Sequence, residues 1–317
     1  MNIPVVFITD ENFILQTGVA IWSLAGSRNK DTSYRVYVVM AECSDGGKKQ
    51  IMKAERDGVT IKVVEASLER YRDMKQLSHI PIACLLKFNI CDLIPDEDKL
   101  IYLDGDIIVR GDLTKMYEFD LEDNVIGGVP SLDMIYDERR LINAGVMLFN
   151  AKKMRDEELS ETLIEKRKSL GDRGSMDQQT FNMMLSERTA FLPFSFNCIP
   201  NKILGTEKNT YPLKKLNALY HTSYLNKQVM VNDAVILHYA TGGKPWRYSY
   251  VACGDEWYRC FLSSPYKDVK LKRKSAILAH TEGLMKNMKN GGIKAVAKRA
   301  AWYVRSLFGK NKYKSWG

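Results

Sequence analysis

The alternation of short apolar runs with helical patterns over the first 66 residues constrains the fold more than any other feature. PVVFIT (4–9) is an unbroken apolar run that stops at the polar cluster Asp10-Glu11-Asn12. Such a run reads as a strand buried on both faces. Leu15, Val19 and Trp22 follow at i, i+4 and i+7, one face of a helix. YRVYVVM (34–40) is a second strand, and a polar helix then passes through Lys48 to Arg56. Gly58 breaks that helix, and VTIKVVEA (59–66) is a third strand. Strands separated by helices predict a parallel sheet with helices on its faces.

The pattern continues less regularly. Residues 81–93 read as a helix ending near Pro95, and KLIYLDGDIIV (99–109) is the most strand-like segment of the chain. VIGGVPS (125–131) is followed by INAGVMLFN (142–150), a candidate core strand. A helix is expected from Arg155 to Leu170, and another over 174–185 (GSMDQQTFNMML), opening at Ser175. AVILHYATGG (234–243) is a late strand running into a glycine pair. There is no internal repeat.

Charge divides the chain in two. From Lys267 to Gly317 there are 14 Lys and Arg against 2 Asp and Glu, which leaves 33 basic and 36 acidic residues elsewhere. The body is slightly acidic and the basicity belongs to the tail, which argues against a nucleic-acid-binding surface on the folded body. We therefore divide the chain into a domain over 1–266 and a tail over 267–317. In the tail, Ile293, Val296, Ala297, Ala300, Val304, Leu307 and Phe308 fall on one helical face, opposite Lys294, Lys298 and Arg305. A basic amphipathic helix flanked by Trp302 and Tyr303 predicts attachment to an anionic membrane surface. The alternative is a terminal helix docked on the core. The amino terminus lacks the basic n-region of a secretory signal, and no apolar stretch approaches the roughly 18 residues of a membrane span. The expected location is the cytoplasm, peripheral on the inner face of the membrane. The six cysteines form no CxxC pair and read as buried reduced thiols.

The chemistry concentrates at three places. Asp104-Gly105-Asp106 ends the apolar run LIYL, and ligands of open α/β sheets bind beyond the carboxyl ends of the strands. Two carboxylates at i and i+2 share a side of an extended chain, and Gly105 lets the backbone bend so that both reach one cation. Oxygen ligands select hard cations such as Mg²⁺ or Mn²⁺. His238, also after an apolar run, would complete a mixed oxygen and nitrogen shell that suits Mn²⁺ better than Mg²⁺. Lys244, six residues further, can offer a point charge to a phosphate.

FITDEN, YLDGD, NAGV, MDQQ and HYxxxxKPW, in that order from about Ile3 to Tyr266, resemble the family 8 retaining glycosyltransferases. These include bacterial lipopolysaccharide galactosyl- and glucosyltransferases and glycogenin. The resemblance implies a GT-A-type Rossmann-like mixed α/β sheet flanked by helices, and a basic helical C-terminal tail for membrane attachment. It implies Mn²⁺ as cofactor, a UDP-galactose or UDP-glucose donor, and a saccharide or glycolipid acceptor such as a lipopolysaccharide core. Carried onto this sequence, Asp104, Asp106 and His238 bind the metal, and Asp10 and Asn12 hold the uridine. Lys244 contacts the diphosphate, and Lys87 stands where the family usually has Arg. Asn143 and Asp177 hydrogen-bond the donor sugar, with Gln178 beside the anomeric carbon. Thr241 replaces a frequent Gly, and the loop near Asp133 is two residues longer than the family pattern. Asn143 as a strand-end cap, and Asp177 with Ser175 as a helix opening, remain the alternatives for those residues. Two rival classes are kept: a haloacid-dehalogenase-like phosphatase, and a membrane-surface protein that binds donor without turnover.

Overall fold

The computed structural model describes residues 1–74, 81–171, 177–205 and 210–275. The amphipathic helix expected beyond Ile293, and the opening at Ser175, lie outside these residues. The strands are β1 Asn2–Thr9, β2 Ser33–Ala41, β3 Val59–Ala66, β4 Lys99–Leu103, β5 Ile107–Val109, β6 Ile126–Pro130, β7 Ile142–Asn150, β8 Thr189–Phe191 and β9 Ile236–His238. Seven of them form one sheet in the order β3-β2-β1-β4-β7-β6-β8, while β5 and β9 form a separate antiparallel ribbon. In the large sheet β1 to β4 are parallel and β7 alone runs antiparallel to its neighbours.

The unbroken apolar run of β1 is explained by burial on both faces. Ile3, Val5 and Phe7 point into one core, against helix Ile14–Ser27 (Val19, Ala20, Leu24) and helix Gly254–Ser263 (Trp257, Phe261). Val6 and Ile8 point into the other, with Leu85, Phe88, Leu163, Ile164 and Phe181. This period-two division is what a strand between two helical layers requires.

Four expectations about elements change. The run 99–109 is two strands, because the chain bends at Asp104-Gly105-Asp106 and carries β5 out of the large sheet to pair with β9. A Cβ on Gly105 would lie 2.5 Å from Thr17 Oγ1 and 3.1 Å from the Phe13 ring, so the bend needs glycine there. The segment 81–93 is a 3₁₀ helix (Ile82–Asn89) followed by one α-turn (Ile90–Leu93). Three residues per turn place Cys84 and Lys87 on one face. The helix expected over 155–170 is split into Ala151–Asp156 and Leu159–Leu170 at Glu158, whose φ of 51° is left-handed. The late strand is confined to Ile236–His238, and one further bond in the same register, Tyr239 N–H to Asp106 O (2.9 Å), fastens the end of the ribbon beside Asp106.

Residues after helix Gly254–Ser263 return to the body. Tyr266 lies on helix Ile14–Ser27, with its hydroxyl donating to Gln50 O (3.0 Å). Arg273 donates to Pro245 O (2.8 Å) and lies over the Tyr258 ring. No helix among the described residues is long and apolar enough to cross a membrane.

Candidate active site

The end of β4 is where three separate stretches of chain converge. The β4–β7 ladder runs one residue past Leu103, since Asp104 N–H donates to Gly145 O (2.8 Å). In the ribbon, Ile107 pairs with His238, so His238 stands beside Asp106. The result is one cluster: His238 Nε2 lies 3.2 Å from Asp106 Oδ1 and 3.7 Å from Asp104 Oδ2. The ligand atoms of all three residues fall within 4.8 Å of one another. Neighbouring ligands of an octahedral ion at about 2.1 Å are about 3 Å apart, so the spacing and the donor set fit a hard divalent cation. The packing that permits this depends on Gly145 of the NAGV stretch. A Cβ there would lie 2.1 Å from His238 Cε1 and 2.7 Å from Asp104 Oδ2.

Two lysines surround the cluster. Lys244 donates to Asp106 Oδ2 (2.5 Å) and to Tyr239 O (2.7 Å). Burial alone would raise the Asp106 carboxyl, but His238 and Lys244 hold it well below the usual carboxylate range. Lys87 is 2% exposed and donates to Ala144 O (2.8 Å) and to Asp177, with Asp104 Oδ1 at 3.5 Å. Its ammonium also lies over the Tyr102 ring, 4.4 Å from the centroid. Burial works against the charge, yet Asp104 and Asp177 keep its pKa above that of an ordinary lysine. Lys87, expected at the donor, therefore ties the carboxylate of Asp104 to that of Asp177. Its primary amine meets three acceptors as a point charge, without the bidentate fork of a guanidinium.

Helix Asp177–Leu185 brings the MDQQ residues to β7. Asn182 pairs with both backbone groups of Ile142, accepting from its N–H (2.8 Å) and donating to its C=O (2.9 Å). One turn earlier on the same face, Gln178 Oε1 accepts from Asn143 Nδ2 (3.0 Å) and Ala144 N–H (3.3 Å). Asn143 thus links β7 to this helix, and its Oδ1 also accepts the Gly145 N–H (3.2 Å), the local contact expected of a strand-end cap. Gln178 also lines a cleft of about 510 Å³ with Asp133, Arg139, Arg140, Asn182 and Glu187. Asp133, left outside the assigned set because of its longer loop, thus reaches the same cleft.

Asp10 and Asn12 lie on the loop after β1, next to β4 in the sheet. Asp10 Oδ1 accepts the Asn12 N–H (2.9 Å), a local turn that shapes the loop. Thr241 is accommodated because Asn201 Nδ2 donates to its hydroxyl (2.9 Å) and to Gly243 O (3.2 Å), tying down the loop ahead of Lys244. Three participants were not singled out from sequence: Tyr102, whose hydroxyl donates to Asp104 Oδ1 (2.6 Å), Asn201, and Asn197, whose side chain contacts His238. For Asn197 a signal existed, as one amide side chain within the apolar stretch FSFNCIP. All six cysteines are free thiols.

The family model described as Glycosyl transferase family 8 matches residues 4–249. Glycosyltransferase GlyD of Streptococcus pneumoniae serotype 4 is 28% identical over 258 residues, covering 78% of this chain and 29% of GlyD. The probable glycosyl transferase Gly of Streptococcus gordonii is 29% identical over 53% of this chain, which spans 22% of that protein. The chain thus spans less than a third of both these relatives. Lipopolysaccharide 1,2-glucosyltransferase of Escherichia coli K12 is 24% identical, covering 83% of this chain and 79% of that protein. Among solved structures, the galactosyltransferase LgtC in complex with donor and acceptor sugar analogs superposes with a TM-score of 0.68 at 23% identity. That match covers 83% of this chain and 96% of LgtC, and it establishes the expected GT-A-type fold.

Proposed function

Because the chain belongs to glycosyl transferase family 8, we propose that it moves a hexose from UDP-galactose or UDP-glucose to a saccharide or glycolipid acceptor, such as a lipopolysaccharide core, with retention of anomeric configuration. The observation that carries this reading is the convergence of Asp104, Asp106 and His238 within 4.8 Å, beside the Asn143–Asp177–Gln178 group. Family membership sets aside the phosphatase reading. A binding protein without turnover would have no need of a carboxylate pair aligned with a histidine and two lysines.

Asp104, Asp106 and His238 would hold Mn²⁺, with Mg²⁺ the alternative. Bound there, the ion supplies Lewis-acid neutralisation of the UDP diphosphate as it leaves. Asp106 is kept ionised for that role by its basic neighbours. Lys244, on the same carboxylate, is placed to share the charge of the diphosphate as the bond to the anomeric carbon breaks. Asp10 and Asn12 are assigned to the uridine. Lys87 locks Asp177 through Oδ2, leaving Oδ1 for a hydroxyl of the donor sugar and placing negative charge near the oxocarbenium-like carbon.

Gln178 is a positioning group in this scheme. Both lone pairs of its Oε1 are taken by Asn143 and Ala144, so its amide nitrogen, not its oxygen, is left for substrate. Attack then falls to the acceptor hydroxyl on the face that UDP leaves, and its proton passes to the departing phosphate oxygen. The cleft bounded by Asp133 and Gln178 is assigned to the acceptor. Proton NMR of the first-formed product from an α-linked UDP-hexose tests the reading. An α-configured product is expected, and a β-configured product contradicts same-face attack.

A further inference from the structure

The hydrogen-bond directions around His238 can be read from groups whose direction is fixed. A backbone amide is always a donor, and Gly145 N–H points at Asn143 Oδ1 (3.2 Å). That identifies the oxygen of the Asn143 amide, and the same oxygen accepts from Asn197 Nδ2 (2.9 Å). Ala144 N–H agrees from the other side, because it and Asn143 Nδ2 both donate to Gln178 Oε1. With its nitrogen turned to Asn143, Asn197 presents its oxygen to His238 Nδ1, 2.9 Å away. An amide oxygen only accepts. His238 Nδ1 therefore carries a hydrogen, and its Nε2, facing Asp104 and Asp106, is the nitrogen whose lone pair a metal can use.

The side chain of Asn197 is not needed to hold these segments together. The backbone already does so, since His238 N–H donates to Cys198 O (2.7 Å) and Cys198 N–H to Ile236 O (3.0 Å). Asn197 is nonetheless 3% exposed, and its side chain spends both ends of its amide on Asn143 and His238. A buried amide with both ends satisfied fixes orientation more than it adds stability.

We infer that Asn197 is a positioning residue for the metal centre: it holds a hydrogen of His238 on Nδ1 and leaves Nε2 as the nitrogen aimed at the cation, under control of the Ala144 and Gly145 backbone amides. Partners of this kind on metal-bound histidines are worth roughly 10- to 100-fold in metal affinity. The inference rests on the metal-site reading above. It adds a coupling: Asn143 and Gln178, assigned to the donor sugar, belong to the same relay as the metal ligand.

The test is Mn²⁺ titration of the full chain, with free Mn²⁺ followed by electron paramagnetic resonance and folding checked by thermal melting. Asn197→Leu, which cannot accept a hydrogen bond, should bind Mn²⁺ roughly 10- to 100-fold more weakly than wild type. Asn197→Asp keeps an acceptor on Nδ1 but loses the donor to Asn143 Oδ1, so it should lose clearly less affinity than the leucine variant. Asn197→Ala replaces the leucine variant if that does not fold. Unchanged affinity in the leucine or alanine variant overturns the inference, as does an equal loss in the leucine and aspartate variants. Asp106→Ala separates the two claims: if it binds Mn²⁺ as tightly as wild type, or if wild type binds none, the metal-site reading itself has failed.

Discussion

Gly145 shows how much of the site is set by a single missing side chain. β7 passes so close to the ribbon that a methyl group at 145 would overlap the His238 ring and the Asp104 carboxylate. Gly145→Ala must displace one of them, and a misplacement of about 1 Å in a catalytic group costs about 100-fold. We expect metal-dependent UDP release to fall by about that factor while the circular dichroism spectrum stays that of the wild type. Release within about twofold of wild type would show that the cluster can relax around the methyl. The carboxylates were legible in the sequence because they follow an apolar strand, and His238 because it follows another. Lys87 was legible only as a charge. That it braces Asp104 and Asp177 depends on three approaches to one buried nitrogen, which sequence spacing does not encode. Asn197 was overlooked for a related reason, since a buried amide is explained only by the partners that satisfy it.

At the scale of elements, the parallel β1–β2–β3 unit was readable from its apolar runs and helical intervals, because each strand is buried on both faces. The bend after β4 was not, since the apolar character of Ile107, Ile108 and Val109 continues across Gly105 into a different sheet. Strand-like residues report burial and not which strand will be the partner. Helix Ile14–Ser27 carries another close approach. A Cβ on Gly18 would lie 2.2 Å from the Tyr266 hydroxyl, which is itself hydrogen-bonded to Gln50 O. Alanine in a helix interior gains up to about 1 kcal/mol over glycine. Overpacking costs about 1–3 kcal/mol, and displacing the tyrosine forfeits about 1 kcal/mol of hydrogen bonding. Overpacking wins, so Gly18→Ala should lower stability by about 1–3 kcal/mol in denaturant unfolding. A stabilised variant would mean that Tyr266 moves aside freely.

At the scale of the molecule, a slightly acidic body meets a strongly basic tail, 14 basic residues against 2 acidic from Lys267 onward. We propose that this tail places the active site at an anionic membrane surface on its cytoplasmic side, where a glycolipid acceptor would be presented. Each Lys or Arg near such a surface contributes about 1 kcal/mol, screened by salt. The full chain should sediment with phosphatidylserine-containing vesicles at low salt and be released at high salt, and a chain ending at Ser275 should remain in solution. Equal sedimentation of both would assign binding to the body.

The metal centre is tested most directly by one comparison: UDP release from UDP-galactose and UDP-glucose, with and without Mn²⁺, for the wild type and for Asp106→Ala. Slow donor hydrolysis is expected even without the true acceptor. We predict UDP release from at least one donor, dependent on Mn²⁺ and lost in the Asp106 variant. No release from either donor, or release that neither Mn²⁺ nor Asp106 affects, would contradict the assignment of this cluster as the metal centre of a glycosyltransferase.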